Sequence, residues 1–359
     1  MPTSLRYITA TSKLSLLGLL TFVMAGCGLS LDPSIESQDS GTDQLLIGIS
    51  PVSESVVWIS GTGGTFGRTL DGGATWQTGI VEGADSLQFR DVHGVDARTA
   101  YLLSIGPGDE SRIYKTVDGG ENWELQFTNP EPQGFFDCFD FWDADSGMAF
   151  SDSFDGSFFI IITEDGGSTW TRVAPDRLPV AREGEGSFAA SGLCLEAGGD
   201  GTAWIGTGAS REGNGRVLRT PDRGRSWSWS DTPIAGGSVS GLTSVTFIDS
   251  RRGAALGGDV MDMESLEDNV SVTTDGGHTW TVATRTPFAG PVYGAVYVPA
   301  APQPTLVAAG PMGLAFSADN GDSWIALSDE NHWSVGFASP GAGWAIGTEG
   351  RITRIALYR

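Results

Sequence analysis

One eight-residue phrase, S/T-x-D-x-G-x-S/T/N-W, recurs six times, beginning at Thr69, Thr116, Thr163, Thr220, Thr273 and Ser317. Successive copies stand 44 to 57 residues apart. A period of that size means one supersecondary unit copied side by side, each unit burying a face it cannot bury alone. The chain before each phrase supplies three short runs rich in β-branched and aromatic residues, and the phrase leads into a fourth. In the second unit these runs are 87–93, 99–104, 112–116 and 123–127. Such runs, bounded by Gly, Pro or Asp, read as strands. The unit is a four-stranded antiparallel blade, and the array is an all-β propeller.

The phrase itself reads as the hairpin turn between third and fourth strands. Its hydroxyl residue and its aspartate can hold backbone N–H groups across the turn, and its glycines accept positive φ. That assigns a structural job to Asp71, Asp118, Asp165, Asp222, Asp275 and Asp319. The closing Trp76, Trp123, Trp170, Trp227, Trp280 and Trp324 each start a strand with a large face to bury between blades. A second register counts differently. Strand two carries a large apolar residue followed by small ones at Trp58, Tyr101, Phe150, Trp204, Leu256, Val307 and Trp344, which makes seven units. The last unit has a third strand in 351–357 and then stops at Arg359 without a fourth. An open blade would expose a sheet edge. Closure is therefore expected from a strand taken from within 36–49, giving seven blades; a six-bladed ring capped by 331–359 is the alternative.

Residues 1–26 do not belong to the repeat. Arg6 and Lys13 precede an apolar run, 14–25, too short for a comfortable span, and small residues lead to Cys27. This resembles the lipobox of bacterial lipoproteins, which implies acylation of Cys27 and an exported protein on the periplasmic side of the membrane or at the cell surface. Residues 27–43 are read as the acylated cysteine and a flexible polar tether, and 44–359 as the propeller. Removing the signal takes away two basic residues and no acid, so the formal net charge of -23 becomes -25. A body that acidic repels nucleic acid and favours cationic partners. Of the 3 cysteines, Cys138 and Cys194 fall in the first strands of adjacent units, where two buried free thiols are expected in preference to a disulfide.

Candidate functional residues are sparse. Three insertions break the repeat, at 177–188, 210–216 and 260–269, and departures from a repeat are where a site is most readily grafted. The inner-strand residues Asp91, Asp137, Asp140 and Glu196, with His93, could crowd a channel mouth as an acid–base pair or a divalent-cation site. Alternation along a short strand does not say which of them point inward. Arg68, Lys115, Arg219 and Arg354 recur just before the turn; surface pairing with local acids is expected, a binding face for an acidic partner being the alternative. With neither a G-x-G-x-x-G fingerprint nor a C-x-x-C-H site in the chain, no organic cofactor is expected.

The six phrases and the seven-unit count make 44–359 similar to the Asp-box, or BNR-repeat, propellers. Within them the chain most resembles the Ycf48/Hcf136-like photosystem II assembly and stability factors. The resemblance implies an exported seven-bladed scaffold that binds subunits of a membrane complex without catalysis. Those factors have an arginine-rich binding face, whereas this chain keeps only 19 Lys and Arg against 44 acids after cleavage. Sialidases share the box, and 177–179 (Arg-Leu-Pro) resembles their Arg-Ile-Pro motif, though it follows the third box instead of preceding the first. The expectation is a monomeric, lipid-anchored propeller binding an envelope protein or a glycan, the alternative being a sialidase-like glycoside hydrolase or carbohydrate-binding propeller.

Overall fold

The structure is a computed structural model in which residues 30–358, together with Met1, are described. The export segment and Cys27 lie outside the described residues. Seven four-stranded antiparallel sheets form the ring. The innermost strands are Leu46–Pro51, Gln88–Gly94, Phe136–Phe141, Leu195–Ala197, Ser240–Phe247, Gly294–Tyr297 and Ser334–Ser339. The second blade has strands Gln88–Gly94, Ala100–Ile105, Arg112–Thr116 and Glu124–Thr128, within a residue of the boundaries read from sequence.

The seventh blade is completed by the N-terminal strand Leu31–Gln38, which pairs antiparallel with Ile352–Tyr358. The closing strand thus begins five residues before the expected window, inside the segment read as a flexible tether, so that reading of 27–43 is corrected. An outermost strand leaves one face to solvent, and the polar residues of 31–38 satisfy that requirement without the apolar alternation that signals a strand. Gln38 anchors the closure: its side-chain amide donates to the Gly72 carbonyl, and its oxygen accepts from Trp76 of the first blade.

All six phrases make the same turn. In the first, the Thr69 hydroxyl donates to Asp71 and accepts from the Gly73 N–H, while the Thr75 N–H and hydroxyl both donate to Asp71. The equivalent bonds form around Asp118, Asp165, Asp222, Asp275 and Asp319. Bonds from Thr75 and Asn122 hold the Asp71 and Asp118 carboxyls down to about 2. The tryptophans pack between blades: Trp123 meets Trp58 and Phe66 of the blade before it edge-on. The strand-two aromatics reach forward, Trp58, Tyr101 and Trp204 donating to the carbonyls of Asp96, Gly166 and Gly276 in the next blade.

Cys138, in the innermost strand of blade three, and Cys194, immediately before the innermost strand of blade four, form a disulfide with Cα atoms 6.0 Å apart. The free thiols expected from sequence are therefore replaced by a cross-blade staple. The ring places equivalent positions of neighbouring inner strands side by side, at a separation a disulfide spans.

Candidate functional site

The innermost strands run the same way round the ring, so the channel has two unlike mouths. At the second mouth, where these strands end, the carboxylates act as stitches. Asp91 accepts the Phe139 N–H at 2.9 Å, Asp140 the Ala197 N–H at 2.8 Å and Glu196 the Phe247 N–H at 3.0 Å, each bond crossing to the next blade. Ser50 and Thr246 do the same work for Gly94 and Tyr297. His93 Nδ1 lies 3.0 Å from Asp140. Burial pushes the Glu196 carboxyl up to about 8 and holds that of Asp91 well above the usual carboxylate range. The acid–base or cation-binding cluster weighed for Asp91, Asp137, Asp140 and Glu196 is not assembled, because three of them spend their oxygens on main chain. Among the described residues no group of three or more His, Cys, Asp or Glu is placed to hold a metal ion.

The recurrent basic residues form no close ion pairs among the described residues, though Arg354 stands opposite Glu36 in register and Arg219 acts electrostatically on Asp200. Arg68 donates to the Ala97 carbonyl across the blade boundary and lies 5.3 Å from the centre of the Trp58 ring. Lys115 donates to the Gly166 carbonyl over Tyr101, and Arg354 stacks 4.5 Å from the centre of the Trp344 ring. Arg219 stands opposite Trp204 in register. Each is the cross-strand neighbour of the strand-two aromatic, so stacking and carbonyl capping are added to the electrostatic pairing that Arg354 has with Glu54 and Glu36 and Arg219 with Asp200.

The first mouth, where the innermost strands begin, is different. Arg90 and Asp137 occupy bulges: Phe89 and Asp91 pair with Ser104 and Leu103, and Phe136 and Cys138 with Ser151 and Phe150, leaving the residue between unpaired. A bulge re-aims the extra side chain. Both line a cavity of about 330 Å³ with Asp152, Phe188, Tyr293 and Trp333.

Asp137 is 1% exposed, and burial, reinforced by the neighbouring Asp152 charge, pushes its carboxyl well above the usual range. The two carboxyls line the same cavity and are coupled electrostatically. Burial raises Asp152 to about 6, opposed by the Ser187 N–H that donates to it at 3.0 Å. Two like carboxyls coupled in one site share one proton. Arg90 donates to the Ala189 carbonyl and to Gln88, and its guanidinium lies 5.4 Å from the centre of the Trp333 ring.

The insertions build this face. Ser187 and Phe188 belong to the first insertion and Val260 opens the third. The first two insertions are tied by a buried pair, Glu185–Arg216, with side chains 1% and 3% exposed. The Arg216 guanidinium stacks on Trp229. By contrast Arg177, of the sialidase-like tripeptide, sits exposed on a short 3-10 turn, Pro175–Arg177, and does not line the channel mouth. Sequence reasoning named Asp137 and the insertions but missed Arg90, Asp152, Tyr293 and Trp333. The only signal for Arg90 was its adjacency to Asp91.

Fold and turns together define a seven-bladed propeller with six aspartate-fixed turns. No protein-family model and no curated protein matches the sequence. Among solved structures, the chain is similar to "YCF48 bound to D1 peptide", with 17% identity over 90% of this chain and 94% of that one at a TM-score of 0.60. It is similar too to YCF48 from Cyanidioschyzon merolae, with 18% identity, 90% and 99% coverage and a TM-score of 0.64. The WD40 propeller domain of Doa1 aligns at 15% identity, 90% and 97% coverage and a TM-score of 0.57. At these identities the likeness is one of fold.

Proposed function

We propose that this chain is an exported, lipid-anchored propeller that binds a protein of the cell envelope on its first-mouth face, without catalysis of its own. The observation that carries the reading is that the irregular loops at this mouth expose large apolar side chains. Val180, Val239, Met261, Leu266 and Met312 stand out to solvent on loops at that end of the strands, three of them in the insertions, beside a scatter of exposed apolar residues on the outer strands and, at Leu70 and Val117, on the opposite turns. Apolar side chains gathered on one irregular face mark a docking surface. A YCF48 propeller of the same architecture is solved with a D1 peptide, which supports a peptide or protein partner here. The disulfide supports export, since such bonds persist in oxidising compartments. For Cys27 the support is the lipobox-like sequence.

Carbohydrate hydrolysis is less well supported. Arg177 of the sialidase-like tripeptide is exposed and away from the channel mouth, so the arginine that reading needs is not at the candidate site. The test is a pull-down from native envelope extract, with the acylated protein and a soluble 28–359 form as parallel baits. A saturable protein partner that is lost on Met261→Asp and Leu266→Asp supports the reading. Recovery of a specific glycan with no protein partner, or binding indifferent to those substitutions, refutes it; membrane partition unchanged by Cys27→Ser refutes the anchor.

A further inference from the structure

The cavity at the first mouth contains unspent hydrogen-bonding groups of both kinds. Arg90 Nε and Trp333 Nε1 are buried donors with no hydrogen-bond partner among the described residues. Asp137 Oδ2 is a buried acceptor that likewise has none. Leaving such groups unpaired is costly, more so when they are charged. A native structure that retains three around one cavity calls for an explanation.

Besides Asp152, Ser187 and the Tyr293 hydroxyl, the rest of the lining is apolar, with Phe135, Phe188 and Val260 its large side chains. Tyr293 and Trp333 lie ring to ring at 5.0 Å. One cationic donor, one neutral indole donor, an acidic acceptor and an aromatic wall thus surround one volume at the small end of the range for ligand pockets, which starts at about 300 Å³. A purely cationic ligand would satisfy Asp137 while meeting Arg90. A purely anionic one would meet the acid pair. We propose that the cavity binds a small zwitterion of the α-amino-acid type with an apolar side chain.

In this arrangement the ligand ammonium donates to Asp137, and the ligand carboxylate accepts from Arg90 and the Trp333 indole. Its apolar side chain lies against Phe135 and Phe188. Charge-assisted bonds of this kind are about twice as strong as neutral ones. Arg90 and Asp137 sit on adjacent innermost strands and line the same cavity, so a basic and an acidic group face one volume. The bulges deliver both side chains there, and the first insertion orients Asp152 behind them. The inference stands whether or not a protein docks on the same face, because it concerns the cavity and not the loops around it.

The test is titration calorimetry at pH 7.5 with the soluble 28–359 form, which carries every strand of the ring. The probes are L-leucine and L-phenylalanine, with phenethylamine lacking the carboxylate and 3-phenylpropionate lacking the ammonium. The expected result is saturable one-to-one binding of an amino acid, at least tenfold weaker binding of both half-ligands, and at least a tenfold loss in Asp137→Asn. Trp333→Phe keeps the ring and removes the indole donor, so it supplies a second reading, a severalfold loss, should Asp137→Asn fail to fold. Absence of saturable heat from either amino acid overturns the proposal. So does an amine or an acid that binds as tightly as the zwitterion, or affinity unchanged in a folded variant. Loss of the protein partner by the surface substitutions with amino-acid binding intact would separate the two readings.

Discussion

Reducing the Cys138–Cys194 disulfide tests how the ring is held. The two cysteines are 56 residues apart in sequence and bridge blades three and four. Cross-linking a loop of that length lowers the entropy of the unfolded chain by an amount worth about 4 kcal/mol at 25 °C. For a folded body of this size the unfolding entropy is about 0.7 kcal/mol/K, so that loss corresponds to about 6 °C in Tm. Reduced wild type is the right comparison, because Cys138 and Cys194 are at most 1% exposed and truncation to alanine would add the cost of a cavity. The assay is scanning calorimetry of the 28–359 form, oxidised and then refolded under reductant, with thiols titrated after denaturation. Two free thiols per chain in the unreduced protein would show that the bond does not form. A bond that forms but shifts Tm by less than 1 °C would refute the loop-closure reasoning.

Further outcomes concern the stitches, turns and insertions. Glu196 has a folded pKa of about 8 against an ordinary 4.5, so the folded state binds its proton more tightly and stability falls as pH rises through that interval. The ceiling is about 5 kcal/mol, and because Glu196 keeps some contact with channel solvent roughly 2 kcal/mol is expected. In urea titrations from pH 4.5 to 9, Glu196→Gln should lack that loss, and parallel curves would sink the argument. Asp222→Ala removes the acceptor for Thr220 and for both groups of Ser226, and should cost about 1–3 kcal/mol in chemical denaturation; a variant of wild-type stability would deny the turn its fixing role. Glu185→Ala leaves Arg216 buried without its partner and should cost about 3–5 kcal/mol. It should also open 177–188 to limited proteolysis, and the double change Glu185→Leu, Arg216→Met should recover much of the stability; equal protease resistance would mean the pair does not hold the insertions.

The fold was legible because repetition multiplies a weak signal. One strand–turn–strand pattern is ambiguous, but six copies of a turn with fixed chemistry and seven of a strand-two motif leave little choice of architecture. The strands of the second blade fell within a residue of their places for that reason. The closing strand was misplaced because 31–38 has the polar surface of an outermost strand and carries no apolar period of its own. It becomes a strand only when Ile352–Tyr358 offers it an edge.

The candidate site was far less legible. Asp137 was singled out beside Asp91, Asp140 and Glu196 because all four are acids on inner strands, yet the ring gives them opposite employment. Three accept main-chain bonds across blade boundaries, while a bulge turns Asp137 into the cavity beside Asp152. A bulge breaks the period of two on which inward and outward are assigned, so alternation could not make the distinction. Arg68, Lys115 and Arg354 likewise read as surface charges until strand register set each beside an aromatic ring.

The sequence by itself determined the repeat, its turns and the count of seven blades, because these depend on interactions within about fifty residues of one another. The tertiary structure alone decided the disulfide, the division of the acids between stitching and cavity, and the meeting of Arg90, Asp137, Tyr293 and Trp333. Those residues come from four different blades, and only closure of the ring brings them to one mouth.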